Sequence, residues 1–160
     1  MKSIFIALFI LFALNSNSQG IPDLRRIDSI ATVINYPKTK ATQDSIVQNL
    51  PTLGLFIKTY LTAIFEGNKL IKYVNYIKTD RSENGITTHM TSCNTFYFDD
   101  NSLIKVEEFG MADNQVQQFN WYFKADKCLY HSLQTERSDS RSALLISMSK
   151  EFTKTIVKAN

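Results

Sequence analysis

The chain has 160 residues, 44% of them apolar and 21% charged, with a formal charge of +3. At roughly 100–200 residues per domain this is one domain, too apolar for a disordered chain and too weakly basic for nucleic-acid binding without a clustered basic face. Five Gly and three Pro exclude collagen-like and low-complexity chains.

Residues 1–18 read as an export signal. Lys2 supplies a positive start, Ile4 to Leu14 is an apolar run of 11, and Asn15 to Gly20 is polar and small. As a helix that run rises about 16 Å, short of the ~30 Å hydrocarbon core, so it does not span. Ser16 and Ser18 are the small residues that a cut before Gln19 needs. The first cysteine is Cys93, too far along for lipid attachment behind the signal. No later stretch approaches 18 apolar residues, and no Asn-x-Ser/Thr site occurs. The expectation is a periplasmic or secreted protein with no membrane span after cleavage, folded as a single domain over residues 19–160.

Pro22 and Asp23 open a first helix, where a fixed φ and a negative charge suit the first turn. Leu24, Ile27, Ile30, Ala31 and Ile34 follow at helical spacing, and Pro37 stops it. Lys38 to Thr52 is polar and ambiguous; Ser45 to Leu50 reads as a short edge strand or a loop, interrupted by Pro51. From Leu55 to Glu136, Phe, Tyr, Ile, Thr and Val dominate between turn clusters, a strand signal. Three stretches resemble one another: Phe65 to Ile71, Phe98 to Ile104 and Phe123 to Leu129. Each runs from an aromatic residue through a polar turn with Asn or Asp into apolar residues, the pattern of a hairpin. Repeated three times, it gives about six strands in an antiparallel meander, joined at Asp80 to Gly85 and Met111 to Asn114. Ser140 to about Val157 reads as a closing helix with the apolar stripe Leu144, Leu145, Met148, Phe152 and Ile156. Lys150, Lys154 and Lys158 on its other side read as a solvated face.

Alternation assigns faces to the strands. Phe96, Phe98, Ile104, Val106, Phe119, Trp121, Phe123, Leu129, His131 and Leu133 fall on one side, the expected core. Tyr97, Lys105, Glu107, Tyr122, Lys124 and Tyr130 fall on the other, expected to be wet. Tyrosines among charges suit recognition of another protein, where rigid rings anchor and polar groups tune, so these six are the candidate binding residues. The fold class is α+β: an antiparallel β-meander of about six strands with an N-terminal and a C-terminal helix packed on one face.

His89, Cys93, Cys128 and His131 suggest zinc at first sight. On strands, however, residues three apart diverge, so Cys128 and His131 point to opposite faces and no metal site is expected. In a simple meander the strands of Cys93 and Cys128 are separated by two others, ~14 Å apart. A disulfide, which needs Cα atoms within about 7 Å, would require a curled sheet or another strand order; two separate thiols are expected. His89 stands too far along the strand from Cys93 to serve as its base. Asp99 and Asp100 share a turn, and Glu107 and Glu108 alternate across a strand, so neither pair converges. No G-x-S-x-G, Walker A, G-x-G-x-x-G or H-E-x-x-H motif occurs. No enzyme and no cofactor is expected.

The tail SNSQG, the helix LRRIDSIATVIN, and the strings FYFDDNSLIKVEE and NWYFKADKCLY resemble small exported bacterial proteins of unknown function. These are built from a helix and antiparallel hairpins and are loosely PepSY-like in layout. The resemblance covers most of the mature chain and rests on turn signals; it implies the helix-plus-meander fold and carries over no catalytic residue. The functional expectation is a non-enzymatic binding module for an envelope or secreted protein, of inhibitor or immunity type. The alternative is a periplasmic small-ligand carrier with an apolar pocket of at least ~300 Å³ lined by Trp121, Phe119 and Tyr73.

Overall fold

The computed structural model describes residues 20–35, 40–113, 115–133 and 138–158. Residues 1–18, Pro37 and Asn114, to which the expected signal, helix stop and part of a turn were assigned, lie outside the described residues. Helix α1 (Gly20–Ile34) is followed by β1 (Lys40–Leu50), β2 (Leu55–Glu66), β3 (Lys69–Glu83), β4 (Ile86–Asp99), β5 (Ser102–Ala112), β6 (Gln115–Lys124), β7 (Lys127–His131) and helix α2 (Ser138–Lys158). The strands form a single sheet in the order β1-β2-β3-β4-β5-β6-β7, every neighbouring pair antiparallel. This is an α+β fold on a meander of seven strands, where six were expected. Among the described residues no helix is long and apolar enough to cross a membrane.

The additional strand is β1, in the stretch that read as an ambiguous polar segment. It lies at the sheet edge with β2 as its one partner, and nearly all of it is exposed. With no buried face it needs no hydrophobic alternation, so the signal that marks other strands is absent. Pro51 falls beyond it, opening a 3-10 turn (Pro51–Leu53) that closes on Gly54. Asp80 to Glu83, expected to be a connection, continue β3, and the turn is only Asn84-Gly85, at φ 52° and 78°. Paired left-handed residues match the twist of the flanking strands, which lets the hairpin be this tight.

The three look-alike hairpins share a bulge. Ile64 pairs with Lys72 and Phe65 with Leu70, which leaves Ile71 without a partner. Tyr97 pairs with Lys105 and Phe98 with Leu103, leaving Ile104; Tyr122 pairs with Tyr130 and Phe123 with Cys128, leaving Leu129. An extra residue in one strand turns two successive side chains to the same face. The bulge corrects the expected alternation at three places. Ile104 leaves the face of Val106 and packs with Tyr97 and Tyr122. Leu129 is exposed, and Cys128 packs against the main core.

Buried side chains gather in two clusters. The larger holds Phe65, Leu70, Tyr73, Phe96, Phe98, Val106, Trp121 and Phe123 from the sheet with Leu145 of α2, and Met148, Phe152 and Ile146 pack against it. Trp121, Phe96 and Leu145 are completely buried; each such side chain contributes about 1.5–3 kcal/mol. Leu144, expected in the α2 stripe, is exposed, and Ile146 takes a place beside the core. The smaller cluster joins Ile27, Ala31 and Ile34 of α1 to Tyr97, Ile104 and Tyr122. Because successive strand residues face opposite ways, these are called here the Trp121 face and the Tyr97 face.

Candidate functional site

Four of the six expected binding residues stand in one cross-strand row, Tyr97-Lys105-Tyr122-Tyr130, which Lys72 extends on the other side. The row is not the wet surface its composition suggested. Tyr97 is 2% exposed, and Lys105 and Tyr122 are each 8% exposed. Polar side chains of α1, and of Asn35 just after it, meet them. Asp28 accepts a bond from Lys105 Nζ at 2.8 Å and from the Tyr122 hydroxyl at 3.0 Å. Asn35 accepts one from Lys72 Nζ at 2.6 Å, and Asp23 pairs with Lys124 at 2.9 Å. Glu107 accepts from Lys105 at 2.8 Å and from the Tyr97 hydroxyl at 2.9 Å. Lys105 also lies over the rings of Tyr97 and Tyr122, 6.0 and 5.3 Å from their centroids. Of the six, Tyr130 and Lys124 are exposed.

The electrostatics match a closed, satisfied network. Burial pushes the Tyr97 phenol up to about 12, against a weaker opposing pull from its bond to Asn35. Burial raises Tyr122 too, helped by Asp28. Burial disfavours the charge on Lys105, but bonds to Asp28 and Glu107 outweigh it and hold the ammonium above its ordinary range. The lysine is thereby held protonated and the two phenols neutral, whereas burial lowers Lys72 at the end of the row.

On the Trp121 face, the buried Glu108 carboxylate accepts the Trp121 indole N–H at 2.6 Å and is gripped by the Arg141 guanidinium of α2. His131 stacks on Trp121 with ring centroids 5.1 Å apart, and its Nδ1 lies 2.6 Å from the Leu133 carbonyl oxygen. His89 is exposed and pairs with Asp80 at 2.7 Å. Cys93 on β4 and Cys128 on β7 are both free thiols; burial pushes that of Cys128 up. Among the described residues no group of three or more His, Cys, Asp or Glu is placed to hold a metal ion.

The expected ligand pocket is not a single cavity. Trp121 is sealed in solid core. Phe119 lines an open groove of about 420 Å³ beside Glu108 and Arg141. Tyr73 lines a separate cleft of about 450 Å³ between the first strands and α2.

The Tyr97 face carries a second row that sequence reading passed over. The contacts of α1 and Asn35 fall on residues 71, 72, 97, 99, 104, 105, 122 and 124. Farther along the strands, Tyr60, Tyr76, Cys93 and Phe109 are register neighbours, all half-buried. The Tyr60 and Tyr76 rings lie 5.9 Å apart. Two residues farther, Lys58 and Lys78 face each other across β2 and β3. Their ammonium groups lie over Tyr60 and Tyr76, at 4.9 and 5.7 Å. Among the described residues no ion pair joins either lysine to a carboxylate. Like charges set directly opposite cost stability.

No family model, curated protein or solved structure matches the chain. The site is therefore read from its own chemistry. The alternation Phe56, Lys58, Tyr60 in β2 and Tyr76, Lys78, Asp80 in β3 carries the signal for this second row, since each run repeats an aromatic and a lysine at period two.

Proposed function

We propose that this protein is an exported, non-enzymatic binding module that recognises another envelope or secreted protein, in the manner of an inhibitor or immunity protein. The recognising surface is the second row, Lys58, Tyr60, Tyr76, Lys78 and Phe109, in place of the row under α1. The observation that carries the reading is the pair of facing lysines on tyrosine rings with no acidic partner among the described residues. A carboxylate-bearing partner would relieve their repulsion and lay its apolar side chains on the rings, the combination of aromatic anchor and charge tuning found at protein interfaces. Half-buried tyrosines on a rigid sheet lose little side-chain entropy on binding.

The same reading sets α1 on the Tyr97 face and α2 on the Trp121 face, in place of both helices on one face. It is supported by the bonds of Asp28 and Asn35 to one side of the sheet and of Arg141 to the other. Two covered faces at one end leave the other end of the blade free for a partner. Export rests on the residue pattern of 1–18.

Capture from envelope extract tests the reading, with wild type, Lys58→Gln/Lys78→Gln and Tyr130→Ala as baits. A partner retained by wild type and Tyr130→Ala but lost by the lysine variant is the expected result. Identical partners on all three baits would remove the assignment of the surface.

A further inference from the structure

The cleft of about 450 Å³ between β1, β2, β3 and α2 combines an apolar floor with an acidic rim. Leu61, Ala63, Tyr73 and Phe152 form the floor, and the rings of Tyr73 and Phe152 stack with centroids 4.2 Å apart. Asp44 of β1 and Glu151 of α2 stand on the lining, which includes no Lys or Arg among the described residues. The Asp44 carboxylate is fixed on its strand by the Ser45 backbone N–H, which donates to Oδ1 at 2.7 Å. Among the described residues Glu151 has neither an ion pair nor a side-chain hydrogen bond, and Lys150 beside it pairs with Asp126 at 2.7 Å. The volume falls within the range of about 300–1,000 Å³ typical of small-molecule sites.

We infer that this cleft is a binding site for a small organic cation, an amine whose apolar or aromatic body lies on Tyr73 and Phe152 and whose ammonium meets Asp44 and Glu151. Three features converge on that class. The floor offers aromatic faces, which attract both apolar groups and cations. Each of the two ionised side chains on the lining is negative, so an anion would be repelled and a neutral ligand would gain nothing from them. Among the described residues both carboxylates keep lone pairs for a donor: Asp44 uses one oxygen on Ser45, and Glu151 uses neither. The site is independent of the lysine row on the other face.

The probes are tryptamine and its neutral isostere tryptophol, titrated against the full chain and followed by backbone amide shifts in NMR. Tryptamine is expected to bind saturably, with shifts concentrated at Tyr73, Phe152 and Asp44, and tryptophol several-fold more weakly. In Asp44→Asn/Glu151→Gln, both exposed positions, tryptamine should weaken by about five- to tenfold, as loss of two exposed charge pairs implies. Tryptophol should then bind as well as tryptamine. Thr42→Phe, which fills the mouth, should abolish both. Equal affinity of the two probes for wild type, or tryptamine binding indifferent to the double variant, overturns the charge assignment. Shifts scattered over the surface, or no saturation by either probe, overturn the site.

Discussion

Lys105 Nζ stands 2.8 Å from Asp28 of α1 and 2.8 Å from Glu107 of its own strand, so that one ammonium bridges two carboxylates. Its side chain is 10% exposed, whereas Asp28 and Glu107 are 48% and 34% exposed. Breaking a fully buried pair costs about 3–5 kcal/mol, and water around the carboxylates reduces that here. Lys105→Ala is expected to lose about 2 kcal/mol and Lys105→Met less, since the aliphatic stem would still pack. The urea midpoint at unchanged slope measures both. A Lys105→Ala midpoint equal to wild type would mean that this ammonium contributes nothing to the contact.

Tyr97 gives that contact an alkaline limit. Its phenol is raised from 10.0 to about 12 in the folded chain. The native state therefore holds a proton that the unfolded chain releases from about pH 10 upward, so stability falls as pH rises through that window. The contribution is fully present below the ordinary phenol value and lost as pH passes the folded one. Lys105, also raised, adds a loss of the same sign. Tyr97→Phe is expected to cost about 1 kcal/mol near neutrality through its lost bond to Glu107. Between about pH 9 and pH 11 its stability should then fall by about 1 kcal/mol less than wild type. Parallel pH curves for the two proteins would show that Tyr97 ionises freely.

The bulges explain which parts of this fold are legible in the sequence. The repeat Phe65 to Ile71, Phe98 to Ile104 and Phe123 to Leu129 announces three hairpins with tight turns, and they are there. Strict alternation then misassigns Ile104, Leu129 and Cys128, because one unpaired residue per hairpin shifts the phase. The doublets Leu70-Ile71, Leu103-Ile104 and Cys128-Leu129 hold it: the second residue of each is unpaired and shares its face with the residue that follows, Lys72, Lys105 or Tyr130. The row Tyr97, Lys105 and Tyr122 was correctly grouped. Its exposure was not legible, since polar residues satisfied by another element's carboxylate have the same composition as polar residues in water. Asp28 stands among the apolar positions of α1 and pointed to that burial. β1 was lost for the converse reason, an edge strand needing no pattern at all.

Glu108 serves the other face as Lys105 serves this one. Trp121 Nε1 donates to it at 2.6 Å, and Arg141 engages its other oxygen. Glu108→Leu leaves the buried indole N–H without an acceptor and the guanidinium without a partner, an expected loss of about 2–4 kcal/mol. Glu108→Gln keeps an acceptor for the indole and should lose about 1–2 kcal/mol. The chain has one tryptophan, so its fluorescence reports the site directly. The Leu variant should shift the emission of the folded protein and lower its urea midpoint together. A shifted emission with an unchanged midpoint would assign Glu108 to local polarity alone.

Three turn positions separate backbone strain from steric contact. Ala125 adopts φ 49°, where Asp100 and Asn101 occupy the matching turn of the β4–β5 hairpin at 50° and 62°. An alanine in left-handed backbone costs about 1 kcal/mol, so Ala125→Gly is expected to stabilise by up to that amount. Gly67 has φ 60° with open space where a Cβ would stand, so Gly67→Ala should cost about 1 kcal/mol from backbone strain alone. Gly54 has the same φ, but an added Cβ would collide with the Ser82 carbonyl oxygen. That residue cannot withdraw freely, because its N–H donates to the Gly54 carbonyl at 2.8 Å. Gly54→Ala should therefore cost about 2–4 kcal/mol, combining strain with displacement of β3. Thermal midpoints should fall in the order Ala125→Gly, wild type, Gly67→Ala, Gly54→Ala. If the last two coincide, the loop after β1 does not press on Ser82.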